Sequence, residues 1–258
     1  MVTVLQILFV LALIVITILI VFKKRREQET IPMPENFREL LNDYVKLYQQ
    51  LDEEGKEKFE ERVEHFLSAV KITGVNAIVE DLDRILIAAG AIIPVYAIPD
   101  WQYINLHEVL LYPGAFNQDF DQGGSDRPIA GMVGTGAMQR VMILSQHALR
   151  QGFLNKTDKN NTGIHEFVHL VDKTDGDTDG IPEILLQHQY TLPWLDMMHK
   201  NIAAIMHNKS DINPYGATNQ AEFFAVVSEY FFERPDLLQS KHPELYDMLE
   251  KIFSKQKN

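Results

Sequence analysis

The longest apolar run in this chain is residues 2–22, where Thr3, Gln6 and Thr17 are the only polar side chains. As a helix, this run would extend roughly 31 Å, which is enough to cross the hydrocarbon core of a bilayer. The pattern therefore predicts one transmembrane helix, and residues 1–23 are interpreted as a membrane anchor.

Four basic residues, 23–26, follow the apolar run. By the positive-inside rule, they predict a single-pass protein of the cell membrane whose remaining residues lie in the cytoplasm. A cleaved signal peptide is the alternative, but it would need basic residues before the run and a small-residue cleavage site after it. Residues 24–36 are basic and polar, with two prolines, and are interpreted as a tether.

Residues 37–254 are predicted to form one domain. Apolar side chains recur with a helical period in residues 55–70, and a second helix is predicted at 82–89. Short apolar runs predict strands at Glu108–Tyr112 and 141–144. The region after residue 161 is predicted to be mainly helical, with helices at 162–171, 183–208 (broken or kinked near Pro193), 220–233 and 235–254.

A few strands followed by helices indicate an α+β fold, predominantly helical with a small sheet. The strand at 141–144 has two interpretations that the sequence does not separate. It could be an edge strand that holds an extended peptide by strand addition, or it could be a core strand.

The candidate chemistry lies in the helix predicted at 162–171, which contains the H-E-x-x-H pattern. His165 and His169 are four residues apart, so one helix face would present both imidazoles to one metal ion. Glu166 lies beside them and could take a proton from an activated water. Apolar neighbours surround the pattern, and such polar groups need partners, which favours a metal site over an accidental match.

A catalytic zinc ion commonly takes three protein ligands and one water, so a third ligand is needed. The downstream carboxylates Asp172, Glu183, Glu222 and Glu229 are the candidates. Asp172 is close to His169 in sequence and better placed to accept a hydrogen bond from a histidine ring. Glu222 and Glu229 share a face of an apolar helix, and spacing alone does not choose between them.

The composition of the chain limits its possible metal ligands, nucleophiles and binding partners. The chain has 258 residues, no cysteine and a net charge of −12. A metal must therefore be held by His, Asp, Glu or water, and cysteine nucleophiles are excluded. The acidic balance argues against direct binding of nucleic acid. The D-G-D-T-D-G run at 175–180 begins like a calcium loop, but Leu186 stands where the twelfth-position glutamate is required.

Several motifs together resemble one family. They are H-E-F-V-H-L-V-D from His165, D-G-D-T-D-G-I-P from Asp175, P-Y-G-A-T-N-Q-A-E-F-F-A from Pro214, and H-E-V-L-L-Y-P from His107. The chain is similar over residues 37–253 to Mlc titration factor A and its zinc-dependent peptidase relatives, which are zincin-like. The best-known enterobacterial members lack an apolar run such as 2–22.

The resemblance implies a role for each matched residue. It implies one Zn²⁺ per chain, with His165, His169 and Glu222 as ligands and Glu166 as general base. It places Glu229 in a supporting or structural position behind the ligands. It aligns Tyr215 with a family tyrosine, whose phenol could donate to the oxyanion formed during peptide hydrolysis.

The sequence thus predicts a membrane-anchored zinc metallopeptidase that acts on peptides, with aminopeptidase-type cleavage suggested by the resemblance. The competing hypothesis is a tethered protein that sequesters a transcriptional regulator or another protein partner, with zinc structural or latent. A purely structural site would have no use for Glu166, which favours the enzyme.

Overall fold

A computed structural model describes residues 13, 33–123, 126–155 and 157–254. From Pro34 onward the described residues form one compact unit. That unit is mostly helical, with a small mixed sheet. Its ten helices are α1 Phe37–Tyr44, α2 Lys46–Gln50, α3 Glu53–Ala69, α4 Asp81–Ile92, α5 Gln146–Leu154, α6 Thr162–Asp172, α7 Thr191–Met206, α8 Gln220–Glu233, α9 Pro235–Lys241 and α10 Pro243–Phe253.

The prediction of a transmembrane helix is corrected by the structure. Among the residues that the structure describes, no helix is long and apolar enough to cross a membrane. The longest of them, α3, has 17 residues and is rich in Glu, Lys and Arg. The run at 2–22 lies outside the described residues apart from Leu13. The predicted anchor and the single-pass membrane location are therefore not supported by the structure.

The sheet contains four strands: β1 Lys71–Gly74, β2 Glu108–Tyr112, β3 Gly131–Val133 and β4 Val141–Ser145. Their order is β1–β2–β4–β3, with β1, β2 and β4 parallel and β3 antiparallel to β4. The strand predicted at 141–144 is therefore internal, and its core interpretation is the correct one. In the described sheet, β3 forms the edge on that side.

The helix α6, which carries the H-E-x-x-H pattern, lies in the core. Its side chains Ile164, Phe167 and Val168 are almost completely buried. The Phe167 ring packs edge-on against Phe66 and Tyr103, at centroid distances of 5.6 and 5.3 Å. A helix that is apolar on most of its surface is stable only when other elements surround it. This packing fixes the position of the polar residues that α6 carries.

Several boundaries differ from the sequence prediction for identifiable reasons. The helix predicted at 183–208 begins only at Thr191, so Pro193 lies in its first turn, where a missing N–H costs little. The helix predicted at 235–254 is divided at His242, because a residue before proline disfavours helical backbone angles.

Asp211 connects separate parts of the helical region. Its carboxylate accepts hydrogen bonds from Lys159 Nζ at 2.6 Å, His242 Nε2 at 2.7 Å, Lys241 Nζ at 3.0 Å and the Tyr230 hydroxyl at 3.0 Å. Burial alone would raise the pKa of Asp211, but these donors outweigh it and lower the pKa below its usual 3.8. The carboxylate is thus stabilised in its charged form.

We expect Asp211→Asn to lower the free energy of unfolding at pH 7 by about 2 kcal/mol, since hydrogen bonds to a charged group are lost. Because the folded-state pKa is depressed, the stabilisation is present above about pH 4 and is lost as pH falls further. Urea denaturation at pH 7 and pH 3.5 measures this. Asp196→Asn is the control, because Asp196 is itself exposed and pairs with exposed Lys200. An equal decrease in the free energy of unfolding in the two variants at pH 7 would contradict the prediction.

Candidate metal centre

The first helix turn of α6 is fixed by Asn161. The Asn161 side-chain oxygen accepts a hydrogen bond from the Ile164 backbone N at 3.1 Å, which caps the helix. His165 and His169 then lie one turn apart on the same face, and their ring centroids are 4.8 Å from each other. The predicted pairing of the two imidazoles is present in the structure.

The start of α8 is fixed in the same way. The Asn219 side-chain oxygen accepts a hydrogen bond from the Glu222 backbone N at 2.9 Å. The cap places Glu222 in the first turn of α8, opposite the two histidines. Its Oε2 lies 3.0 Å from His165 Nε2 and 3.4 Å from His169 Nε2, and the two Nε2 atoms are 3.1 Å apart.

These three atoms fit a tetrahedral metal ion. Zinc bonds of about 2.0–2.1 Å at tetrahedral angles place ligand atoms roughly 3.3 Å from each other. The observed separations of 3.0–3.4 Å surround that value. In the part of the chain that the structure describes, His165, His169 and Glu222 are the only His/Asp/Glu group of three placed to hold a metal. Of the four carboxylates considered from the sequence, the structure brings Glu222 to the histidine pair.

Glu229 lies behind His165. Its Oε1 is 2.7 Å from His165 Nδ1, and its Oε2 accepts the Asn161 backbone N at 2.5 Å. A carboxylate at Nδ1 holds the proton there and directs the Nε2 lone pair towards the metal position. Glu229 therefore lies on the Nδ1 side of His165, whereas Glu222 lies on the Nε2 side.

The charges around His165 favour a cation at the site. Burial opposes a charged His165 imidazole, but Glu229 and Glu222 outweigh burial and raise the pKa of His165 well above 6.5. Burial opposes a charged Glu222 carboxylate, but its contacts with His165 and His169 outweigh burial and lower the pKa of Glu222 to about 2. A proton and a metal ion compete for the same Nε2 position, so metal affinity is expected to fall as pH falls.

Glu166 is buried, with 5% of its surface exposed. Burial raises the pKa of its carboxyl above 4.5, although His165 and His169 partly oppose the shift. A carboxylate with a raised pKa is a stronger base at neutral pH. The structure thus gives Glu166 the environment expected of a general base.

Tyr215 lies at the open side of the centre. It is 53% exposed, and its ring centroid is 6.0 Å from that of His165. Partial burial raises the pKa of its phenol, and the charges of Glu222 and Glu166 add to the shift. The phenol therefore keeps its proton at neutral pH and is available as a hydrogen-bond donor.

Asp172 does not make the hydrogen bond to a histidine that the sequence suggested. Its Oδ2 accepts the Gly180 backbone N at 2.8 Å, while its Oδ1 and the Nδ1 of His169 are both buried without a hydrogen-bond partner. Burial raises the pKa of Asp172 to about 7, although the Gly180 hydrogen bond opposes the shift. Asp172 therefore anchors the loop that follows α6.

Two residues at the site were missed by the sequence analysis. Asn161 has the residue type of a helix cap, and this signal was available. Gly131 had no such signal, because it lies in a Gly- and Asp-rich loop. The importance of Gly131 follows only from the tertiary structure, in which β3 passes over Glu166. A Cβ on Gly131 would lie 2.6 Å from Glu166 Cγ and Oε1.

We expect Gly131→Ala to slow any reaction that uses Glu166 as a base by about a hundredfold, since the added methyl displaces Glu166 and a misplacement of about 1 Å has that effect. Metal content should be unchanged, because His165, His169 and Glu222 are not touched. Steady-state kinetics and metal analysis of the variant measure this. Gly114→Ala is the matched control, since no atom lies within 4 Å of its added Cβ. Full activity of Gly131→Ala would contradict the prediction.

Residues 20–254 match the sequence model described as glucose-regulated metallo-peptidase M90. Protein slr2042 of Synechocystis sp. is 31% identical over 242 residues, which cover 86% of this chain and 84% of that protein. Mlc titration factor A of Pectobacterium atrosepticum is 27% identical, covering 81% and 82%, and that of Salmonella arizonae is 31% identical, covering 71% and 76%.

Proposed function

Since this chain belongs to the M90 family of glucose-regulated metallo-peptidases, we propose that it is a zinc-dependent enzyme that hydrolyses peptide bonds. The family resemblance inferred from the motifs is confirmed. Family membership implies a metal, and a possible His and Glu site is present in the structure. The identity of the metal and the reaction are the proposal.

The observation that carries the proposal is the combination of the donor triad with Glu166. His165, His169 and Glu222 present three neutral or anionic donors at 3.0–3.4 Å from each other. A structural metal site commonly has four protein ligands, whereas a catalytic site commonly leaves a position open. A site that only stabilised the fold would not need the buried carboxylate of Glu166 beside its three ligands, whereas a catalytic site would use that carboxylate as a base.

The chain's own residues would divide the reaction among them. A bound zinc ion would supply Lewis acidity and lower the pKa of water. Glu166 would accept a proton from the attacking water and pass it to the leaving amine. Tyr215 would donate its phenolic hydrogen to the oxyanion that develops on the carbonyl. Glu229 would hold His165 in one tautomer throughout.

The edge strand β3 supports an extended peptide as the substrate. Ser145 N donates to Ala130 O, and Gly134 N donates to Val141 O. Alternate residues of an antiparallel strand bond to opposite sides, so Gly131 and Val133 direct their backbone groups away from β4. A peptide that pairs with this edge would pass Glu166, which contacts Gly131. The strand that could take a peptide is therefore β3 rather than β4.

Cleavage from the amino end is the finer proposal, and it rests on the resemblance. The test is hydrolysis of a peptide series, each member with a free or an acetylated amino terminus, followed by mass spectrometry. Release of single residues only from the free peptides would support an aminopeptidase. Equal internal cleavage of both forms would support an endopeptidase, and no cleavage of either, by protein with bound zinc, would overturn the enzymatic proposal.

A second candidate function is capture of a regulatory protein. It is favoured by the names of the relatives, which are titration factors for Mlc. Binding of purified Mlc to the wild-type chain and to Glu166→Gln separates the two functions. Capture that does not depend on Glu166, together with absence of hydrolysis, would favour the binding role.

A further inference from the structure

A cavity of about 460 Å³ lies apart from the metal donors. It is bordered by α1, α2, the segment after α4, the end of α5, the first turn of α6, the last turn of α8, the start of α9 and the end of α10. None of His165, His169 and Glu222 lines it. A volume of this size matches that of pockets that hold small molecules. The cavity is therefore large enough for a ligand of its own.

The walls of the cavity are apolar and its rim is polar. Buried Ile93, Phe153, Ile164 and Phe253 belong to its lining, and the exposed residues Gln50 and Glu250 belong to the rim. Such a surface binds the apolar part of a ligand by burying it, and a few polar groups determine which ligand is bound. The choice of ligand thus depends on the polar groups that reach the cavity.

Glu233 is the polar group that distinguishes this cavity. Its Oε1 accepts a hydrogen bond from Asn161 Nδ2 at 2.8 Å. Its Oε2 has no hydrogen-bond or ion-pair partner among the described residues. Burial raises the pKa of this carboxyl to about 7, although Asn161 and Lys46 oppose the shift. This half-buried carboxyl therefore has an oxygen that can accept a hydrogen bond from a ligand in the cavity.

Charge complementarity favours a cationic ligand. Lys46 is the basic residue in the lining, and its Nζ donates to the Glu233 backbone carbonyl at 3.0 Å rather than to the carboxylate. Glu250 adds a second negative charge at the rim. An anionic ligand would meet both carboxylates, whereas an ammonium group could pair with Glu233.

We propose that this cavity is a second ligand site, which binds a small primary amine with an aromatic or branched aliphatic body. The ammonium group donates to Oε2 of Glu233, and the apolar body packs among the phenylalanine and isoleucine side chains. The site is separate from the metal centre, and binding to it does not require hydrolysis.

The same carboxyl is connected to the metal centre through hydrogen bonds. Glu233 holds the Asn161 side chain, the Asn161 backbone N donates to Glu229 Oε2 at 2.5 Å, and Glu229 Oε1 lies 2.7 Å from His165 Nδ1. A ligand that shifts Glu233 therefore acts on residues that position His165. By linkage, the amine and the metal ion change each other's affinity by the same factor.

The experiment uses the full chain and three probes of matched shape: 2-phenylethylamine, 2-phenylethanol and 3-phenylpropionate. Calorimetry at pH 8 keeps Glu233 ionised and the amine protonated. We expect the amine to bind at least about tenfold more tightly than the alcohol or the acid, as hydrogen bonds to charged groups require. Equal binding of the three probes, or binding of none, would overturn the proposal.

Variants locate the site. Glu233→Gln should remove the preference for the amine, while the rim control Glu250→Gln should retain it. Because Glu233 also holds Asn161, Ala97→Phe provides a second variant that fills the cavity without changing its charge. Ala97→Phe should abolish binding of all three probes while circular dichroism remains native, and unchanged binding in this variant would place the amine elsewhere.

The coupling between the cavity and the metal centre is tested by a separate measurement. Zinc affinity of the wild-type chain is measured by chelator competition with and without saturating 2-phenylethylamine. We expect a change of at least about threefold in zinc Kd, and none in Ala97→Phe. An unchanged Kd in the wild-type chain would overturn the link. Probe binding and zinc Kd are both measured without a peptide substrate, so failure of this proposal is distinguishable from failure of the peptidase proposal.

Discussion

Glu166→Gln is expected to lower kcat for peptide hydrolysis by about a thousandfold, within the range that a general acid–base residue contributes. The amide has the size of the carboxyl but cannot accept the proton of the attacking water. Glu166 does not belong to the donor group of His165, His169 and Glu222, and the amide adds no volume, so the variant should fold and keep its metal. Peptide hydrolysis and zinc content of the variant are measured side by side.

The pH dependence of kcat adds a second test of Glu166. Burial raises its pKa above 4.5, and the base acts only when it is deprotonated. Activity of the wild-type protein should therefore rise with pH through that raised pKa, and the residual activity of Glu166→Gln should lack this rise. Hydrolysis by Glu166→Gln at the wild-type rate would show that another group is the base.

Glu222→Ala is expected to remove most of the bound metal. Loss of a residue that only orients a ligand commonly lowers metal affinity by about 10 to 100-fold, so loss of a ligand should lower it by at least about a hundredfold. Hydrolysis should fall in proportion to the metal lost. Zinc affinity from chelator competition is the measurement.

Glu183→Ala is the matched control for this prediction. Glu183 was also a candidate for the third ligand, but it is exposed and does not belong to the group formed by His165, His169 and Glu222. Its substitution should leave zinc affinity unchanged. If Glu183→Ala lost metal and Glu222→Ala retained it, the proposed ligand set would be incorrect.

The sequence predicted the part of the site that lies within one helix. His165 and His169 are four residues apart, and helical geometry alone determines that they share a face. The third donor comes from α8, 53 residues beyond His169 in the chain, and no local rule relates the two helices. Glu222 and Glu229 lie on one face of α8, and only tertiary packing shows that Glu222 meets the Nε2 atoms while Glu229 meets Nδ1.

Elements of the fold were predictable where their patterns were long. The strand Glu108–Tyr112 and the helix Gln220–Glu233 have the predicted bounds. The strands β1 and β3 have four and three residues and contain glycine, so too few positions exist for an alternating pattern to appear. As a result, the edge strand beside Glu166 was not predicted.

The apolar run at 2–22 was interpreted from hydropathy alone. Its length satisfied the requirement for a bilayer span, whereas no membrane-spanning helix is found among the residues that the structure describes. An apolar helix can also be one that is buried inside a protein. The core helix α8 is an example, because protein packing buries it on nearly all sides.

The central claim is that His165, His169 and Glu222 hold one metal ion. Anomalous diffraction at the zinc absorption edge from crystals of the zinc-loaded protein tests it most directly. We predict one peak per chain, about 2.0–2.2 Å from His165 Nε2, His169 Nε2 and a carboxylate oxygen of Glu222. A peak bound by other residues, or no peak in protein exposed to excess zinc, would contradict the account.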